Sequence, residues 1–259
     1  MLTALLKALG LTQASVDTSF HQRQINLSGN RITFAMPENF SRDFPAEDMV
    51  ESVDLDHAAG ISDYHGVTLL RRFWDFKSDG FFKKNIGTLV LVLSVKKVPD
   101  GCQKNLAHPL EFAEVLQQAL REHYEVFNKT VAEEFRFCYS DSYDAFREFI
   151  FNQHRWTRYV AIRDDAKEIS VCYAVPITQS HYFVAEFISL SANTIHIRSF
   201  TDNYTDSFTD RIMDTFEISY AVGNSIVNDI QQNKDLSLEQ ITEELYAIAR
   251  AGLPEYIPE

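Results

Sequence analysis

Hydrophobic positions along this chain change period several times, and each change marks an element. Leu2, Leu5, Leu6 and Leu9 recur at helical spacing and predict an amphipathic first helix. Arg23–Ser28 reads as a short strand, Ser28-Gly29-Asn30 as a turn, and Arg31–Met36 alternates with period two until Pro37 ends it. Val67–Phe76 and Leu89–Val98 are apolar runs around the turn chemistry of Lys77-Ser78-Asp79-Gly80, which predicts a hairpin. Pro109 opens a helix in which Phe112, Val115, Leu116 and Leu120 form one apolar face. A second helix is predicted from Ser142 to Phe151.

Three strands follow in meander order, Trp156–Ile162, Ile169–Val175 and His181–Leu190, with turns at Asp164-Asp165 and Thr178-Gln179-Ser180. Thr194–Phe200 is read as a fourth strand. A helix is predicted from Asp206 to Phe216 and a last one over Leu238–Ala251, with Ser237 as its N-cap. Strands cluster in runs and do not alternate with helices. The expectation is therefore an α+β fold, an antiparallel β-sheet sandwich with helices on its faces and a helical insert between two strand runs. A single domain, 1–259, is expected, in which residues 20–108 and 150–220 share one sheet or form two and 236–251 adds a C-terminal helix. No Gly/Ser/Pro-rich linker separates the runs.

The helix at 206 carries the most unusual pattern. Asp202, Asp206, Asp210 and Asp214 recur every four residues, so their carboxylates line one helix face. Phe208, Ile212 and Phe216 form a core-facing stripe on the other side. Like charges at that spacing cost roughly 0.2–0.5 kcal/mol per pair, which points to a use outside helix stability. A metal site would need a second carboxylate cluster, and a phosphate substrate would need basic residues. Between residues 201 and 233 only Arg211 is basic, so cation chemistry is not the reading taken.

Charge sharpens this. The chain of 259 residues has a formal net charge of −13. Residues 1–130 hold 14 basic and 16 acidic side chains, whereas residues 201–259 hold 3 basic and 12 acidic. Phosphate recognition needs Lys and Arg, so nucleic acid and anionic membrane are excluded as expected partners. A basic protein surface is the expected partner, with Asp206, Asp210, Asp214, Glu239, Glu243 and Glu244 as the candidate binding residues. The basic cluster Arg155, Trp156, Arg158 and Arg163 is read as balancing neighbouring acids. Arg71-Arg72 with Trp74, and Lys83-Lys84, form a basic–aromatic patch.

Motifs for catalysis are missing. The eight histidines include no HExxH or HxxxH pair, and there is no GxSxG, SxxK or P-loop. No cofactor is expected. Cys102, Cys138 and Cys172 lie far apart, which fits a reducing compartment and neither a zinc framework nor a disulfide scaffold. Cys172 reads as a buried small apolar residue. The N-terminus lacks a basic region and Lys7 interrupts its apolar run, so no signal peptide is read, and no run of about 18 apolar residues exists. The expected address is the cytoplasm. A second reading is an enzyme with a dispersed site built from Cys138, Asp141 and His154. A third is a structural protein without a specific partner.

Two stretches, RITFAMPENFSRDF and HYFVAEFISLS with its closing DRIMDTFEIS, resemble the PsbP-like α/β sandwich family. The positions that carry the resemblance are Ile32, Phe34, Pro37, Phe40, Tyr182, Phe187, Ile212 and Phe216. The insert at 109–151 and the helix after 223 depart from the family's compact pattern. The resemblance implies a central antiparallel sheet with helices on both faces and a mostly non-enzymatic role. Bacterial sandwiches of this kind are similar to immunity proteins and adaptor-chaperones of type VI secretion systems. A cytosolic immunity protein or secretion chaperone that binds a basic toxin or effector is the function this implies.

Overall fold

The computed structural model describes residues 19–251 apart from 59–60, 62–63, 65, 78–83, 140–141, 164, 166 and 193–196. The predicted first helix, the turn at 78–80 and the tail at 252–259 lie outside the described residues. The chain opens with the hairpin β1 (Phe20–Leu27) and β2 (Asn30–Pro37). Ser28 and Gly29 turn it with φ of 48° and 85°, the two positive angles of a twist-compatible two-residue turn. Then come β3 (Ser52–Val53), β4 (Gly66–Lys77), β5 (Asn85–Lys97) and the helix α1 (Pro109–Thr130). After α1 the strands are β6 (Phe137–Tyr139), β7 (Arg147–Phe151), β8 (His154–Arg163), β9 (Glu168–Pro176) and β10 (His181–Ser191).

One helical run follows without a break: α2 (Ile197–Phe200), a π segment (Thr201–Thr205) and α3 (Asp206–Met213). The chain then forms β11 (Glu217–Ser219), α4 (Ile226–Gln232) and α5 (Leu238–Ala251). There are two sheets. The smaller has the order β11-β2-β1-β3, and the larger has β4-β5-β10-β9-β8-β6, with β7 also paired to β8. All of these pairings are antiparallel except β1 with β3. Both sheets draw strands from before and after α1, since β5 pairs with β10 and β2 with β11. Of the two arrangements the sequence allows, the strand runs take the second, shared between two sheets.

Alternation along the large sheet separates two cores. Leu89, Leu91, Leu93, Phe183, Phe187, Val171 and Trp156 point toward the small sheet and the 197–213 helical run. Cys172, Ala174, Tyr182, Val184 and Tyr159 point the other way, onto Phe112, Leu116, Leu120 and Tyr124 of α1. The order is small sheet with helical run, large sheet, then α1. Phe216 closes the first core, stacked 5.0 Å from Phe34 and set edge-on to Trp156 at 5.5 Å. Of the positions that carry the PsbP-like resemblance, Ile32, Phe34, Tyr182, Phe187, Ile212 and Phe216 are at most 1% exposed, whereas Phe40 is 41% exposed.

Two expectations are corrected. The helix predicted over Ser142–Phe151 is a single 3-10 turn at Tyr143–Ala145 followed by strand β7. Aromatic and β-branched side chains in REFIF favour the pleat, and Asn152 and Gln153, with φ of 46° and 67°, turn the chain straight into β8. The strand predicted over Thr194–Phe200 is helical from Ile197 onward, and 193–196 lie outside the described residues. Ile197 and Phe200, three apart, bury together in the inner core, so helical spacing overrides the local alternation. The last helix begins at Leu238 as expected, with the Ser237 hydroxyl 3.5 Å from the Gln240 amide. Among the described residues no helix is long and apolar enough to cross a membrane.

Candidate functional site

The 197–213 run repeats a Thr-Asp pair every four residues, and the two rows take opposite roles. Thr201, Thr205 and Thr209 are 8%, 1% and 6% exposed and face the large sheet. Asp202, Asp206, Asp210 and Asp214, one residue later in each repeat, are exposed. Phe208 and Ile212 anchor the run from beneath. The threonines satisfy themselves locally. Thr201 Oγ1 donates to the Ile197 carbonyl at 3.0 Å, Thr205 Oγ1 to the Thr201 carbonyl at 3.3 Å, and Ser189 and Thr205 hydroxyls meet at 3.0 Å.

Between this run and the sheet lies a cleft of about 190 Å³. Asp206 and Asp210 form its outer lip, and Phe149, Arg158 and Tyr173 form the facing wall. The Arg158 guanidinium lies 6.0 Å over the Phe149 ring, and its charge opposes the upward push that burial gives the Tyr173 hydroxyl. Among the described residues no ion pair holds any of the four aspartates. Asp206 and Asp210 are held above the usual carboxylate range, first by partial burial against the cleft and then by Asp202 and Asp214 respectively. Arg158 across the cleft pulls both the other way. The acids therefore do not simply face open water. Two of them overhang a cleft whose far wall carries one arginine.

The second acid group is separate. Glu239, Glu243 and Glu244 are exposed on α5. Glu239 and Glu243 line a different cleft of about 300 Å³, opposite Arg147, with Tyr143 and Tyr246 at its edge. Glu148 ties α5 in place by accepting the Leu238 amide at 2.8 Å. Arg147 and Arg158 are directly paired across β7 and β8, so this hairpin sets one arginine against each acid group. The six candidate residues thus form two sites on two elements.

The remaining candidates disperse. Cys138 is exposed on β6 opposite Ile162 of β8, while His154 opens β8 eight residues earlier. At ~3.3 Å per residue they are roughly 26 Å apart. Asp141 lies outside the described residues. Cys172 is 5% exposed, and burial pushes its thiol well above the ordinary value. Arg155 and Arg163 balance acids as expected, Arg155 with Glu148 at 3.4 Å and Arg163 with Asp165 and Glu168 at 2.8 Å each. Arg71, Arg72 and Trp74 do not form an open patch. Arg71 pairs with Glu47, Arg72 is 8% exposed and donates to the Glu47 carbonyl, and Trp74 is fully buried. Among the described residues no three His, Cys, Asp or Glu side chains could jointly hold a metal ion.

Sequence reading found the aspartate row by its spacing but missed Arg158 as its counterpart and the buried threonine row beside it. The threonines were visible in TDNYTDSFTD as the other half of the same repeat. Comparison with protein-family models finds no family that matches the chain, and no curated protein matches it.

Proposed function

We propose that this chain is a protein-binding module for a basic partner, with a cytosolic immunity protein or adaptor-chaperone of a bacterial toxin-secretion system as its specific form. The observation that carries this reading is the row Asp202, Asp206, Asp210 and Asp214, exposed and unpaired among the described residues, on a helix fixed from below by Phe208 and Ile212. A row of repelling charges on a rigid support is preorganised for an opposite surface, and no side chain of this protein has to be displaced to reach it. The PsbP-like resemblance adds the specific form, by analogy of fold alone. Such a surface raises association rate and selectivity more than it raises affinity.

The test compares wild type with the triple variant Asp206→Asn, Asp210→Asn, Asp214→Asn, both immobilised and exposed to native lysate. The reading requires a basic protein retained by wild type and reduced about tenfold on the variant. Its association rate must fall with ionic strength in wild type and lose that dependence in the variant. A partner held equally by both, or an acidic one, refutes it.

A further inference from the structure

On the other face of the β7–β8 hairpin from Arg158 lies another cleft of about 190 Å³. Alternation along the two strands sends Glu148, Ile150, Arg155 and Thr157 into it, while Phe149 and Arg158 face the aspartate row. Its walls are mainly apolar, with Phe112 from α1, Ile150, Val175 and Ile230 contributing. The volume is below the ~300–1,000 Å³ of pockets that take drug-sized ligands, so it suits one ring or a short chain.

Its polar groups are few and distinctive. Thr157, 3% exposed as a residue, lines the cleft with a hydroxyl that no hydrogen bond among the described residues holds, and Glu148 Oε1 is buried in the lining without a hydrogen bond. His154 accepts the Ile218 amide on Nε2 at 3.2 Å. Burial holds this ring below its ordinary value of 6.5, so it is neutral at pH 7 and carries its proton on Nδ1, a donor beside the cleft. Arg155 is already used: it donates to the Asn233 and Lys234 carbonyls at 3.4 Å and 2.6 Å and pairs with Glu148. That pair cancels in charge. Lys234 is exposed at the rim, without an ion partner among the described residues.

The lining therefore carries one uncompensated positive charge. The aspartate cleft has one arginine against two aspartates, and in the α5 cleft, with Glu148 already paired to Arg155, Arg147 stands against Glu239 and Glu243. In a chain of net charge −13, it alone of the clefts at the aspartate row, at α5 and here carries excess positive charge. The first turn of α1, which begins at its edge with Pro109, adds the positive end of a 22-residue helix.

We propose that this cleft binds a small apolar monocarboxylate, its body against Phe112, Ile150, Val175 and Ile230 and its carboxylate served by Lys234, with Thr157 and His154 as neutral donors. A single free cation matches one negative charge. A phosphate dianion would bring a second charge to a mostly apolar wall with nothing to meet it. The proposal uses no residue of either acid group, so it stands or falls separately from the protein-partner reading.

The experiment titrates the full chain with benzoate and with hexanoate, and with benzamide as the neutral control, by calorimetry and by amide chemical shifts. Wild type is compared with Lys234→Gln, an exposed change that leaves the fold alone, and Thr157→Val, an isosteric one checked for unchanged thermal midpoint. Saturable binding of a carboxylate is expected, with shifts centred on Ile150, Thr157 and Ile230. Benzamide should bind about tenfold more weakly than benzoate, and each variant should weaken benzoate severalfold. The proposal is overturned if neither carboxylate saturates by ~10 mM, if benzamide binds as well as benzoate, if Lys234→Gln changes nothing, or if the shifts fall elsewhere.

Discussion

Replacing Asp214 with Asn should make this protein more stable, and the reason is the functional reading of the aspartate row. Asp214 is exposed and follows the last residue of the continuous 197–213 helical run. Two unfavourable terms meet there. Its charge stands four residues from Asp210, a like-charge pair that costs about 0.2–0.5 kcal/mol. It also stands at the negative end of the helix dipole, where an anion costs about 0.3–1 kcal/mol at low salt. Nothing in the native contacts offsets this. The Asp214 amide donates to the Asp210 carbonyl at 2.8 Å, and the Asp214 carbonyl accepts from Asn152 Nδ2 at 2.7 Å. Both are backbone groups that survive the substitution. The expected gain is about 0.5–1.5 kcal/mol, which in a chain of this size is a rise of roughly 1–6 °C in thermal midpoint.

Chemical unfolding at pH 7 in low salt, and again in about 1 M salt, measures this gain, and screening should remove most of it at high salt. The pH dependence has a definite sign. Asp210 is held above its ordinary value of 3.8, with the Asp214 charge as the second cause after burial. An acid whose folded value is raised binds its proton more tightly when folded. It therefore contributes stability below 3.8 that is lost as pH rises through the folded value. The substitution should leave the protein unchanged at a pH where both carboxyls are neutral and should stabilise it above that window. It should also move the Asp210 titration, followed by carboxyl NMR, down toward 3.8. A loss of stability at pH 7, or a gain indifferent to salt, would show that the row is a structural feature and refute the argument that it opposes its own helix.

Three further outcomes are expected. Phe216→Ala removes a fully buried ring that touches Phe34, Trp156 and Phe183, and should cost about 3–5 kcal/mol in urea unfolding; a loss under ~1 kcal/mol would mean the two sheets do not depend on it. Gly87→Ala places a Cβ 2.5 Å from the Phe200 ring and 2.7 Å from the Leu190 carbonyl oxygen, so it should cost about 1–3 kcal/mol, and an unchanged midpoint would contradict the packing of α2 on β5. Exposed Cys138 should react with a thiol reagent in the folded protein, whereas Cys172, buried and with its thiol pushed up, should react only on unfolding; equal rates would place Cys172 at the surface.

The elements legible from sequence were those whose period and punctuation agree. Pro109 with Phe112, Val115 and Leu116 marks α1, and Ser237 with the following apolar face marks α5. The misread elements are those where tertiary pairing overrides a local pattern. Phe146, Phe149 and Ile150 stand at spacings a helix also shows, and the hairpin to β8, which the aromatic and β-branched side chains of REFIF suit, makes the segment a strand. Thr-Ile-His-Ile alternates, yet Ile197 and Phe200 are drawn together by the core beneath them. The division of the strands between two sheets was not readable, because β11 reaches β2 across 186 residues from Ile32 to Ile218 and no local signal encodes that. The same holds for the clefts. The lining of the monocarboxylate cleft runs from Leu106 to Lys234, so its charge balance exists only in the folded chain.

The aspartate row itself raises a geometric problem that the fold solves. Residues four apart on an ideal α-helix, at about 100° per residue, advance by about 40° beyond a full turn. Over the three intervals from Asp202 to Asp214 the row should drift by about 120°, enough to carry one end off the solvent face. Yet all four aspartates are exposed, and Thr201, Thr205 and Thr209 are all buried. The π segment at Thr201–Thr205 occupies the first interval. A π turn of roughly 4.4 residues advances by about 82° per residue, so four residues there fall about 32° short of a full turn instead of overshooting. The total drift drops to about 48°, and the row stays on one side. The repeat and the π segment are thus one device: the widened turn keeps the threonines on the sheet and the carboxylates along the edge where a basic partner would meet them.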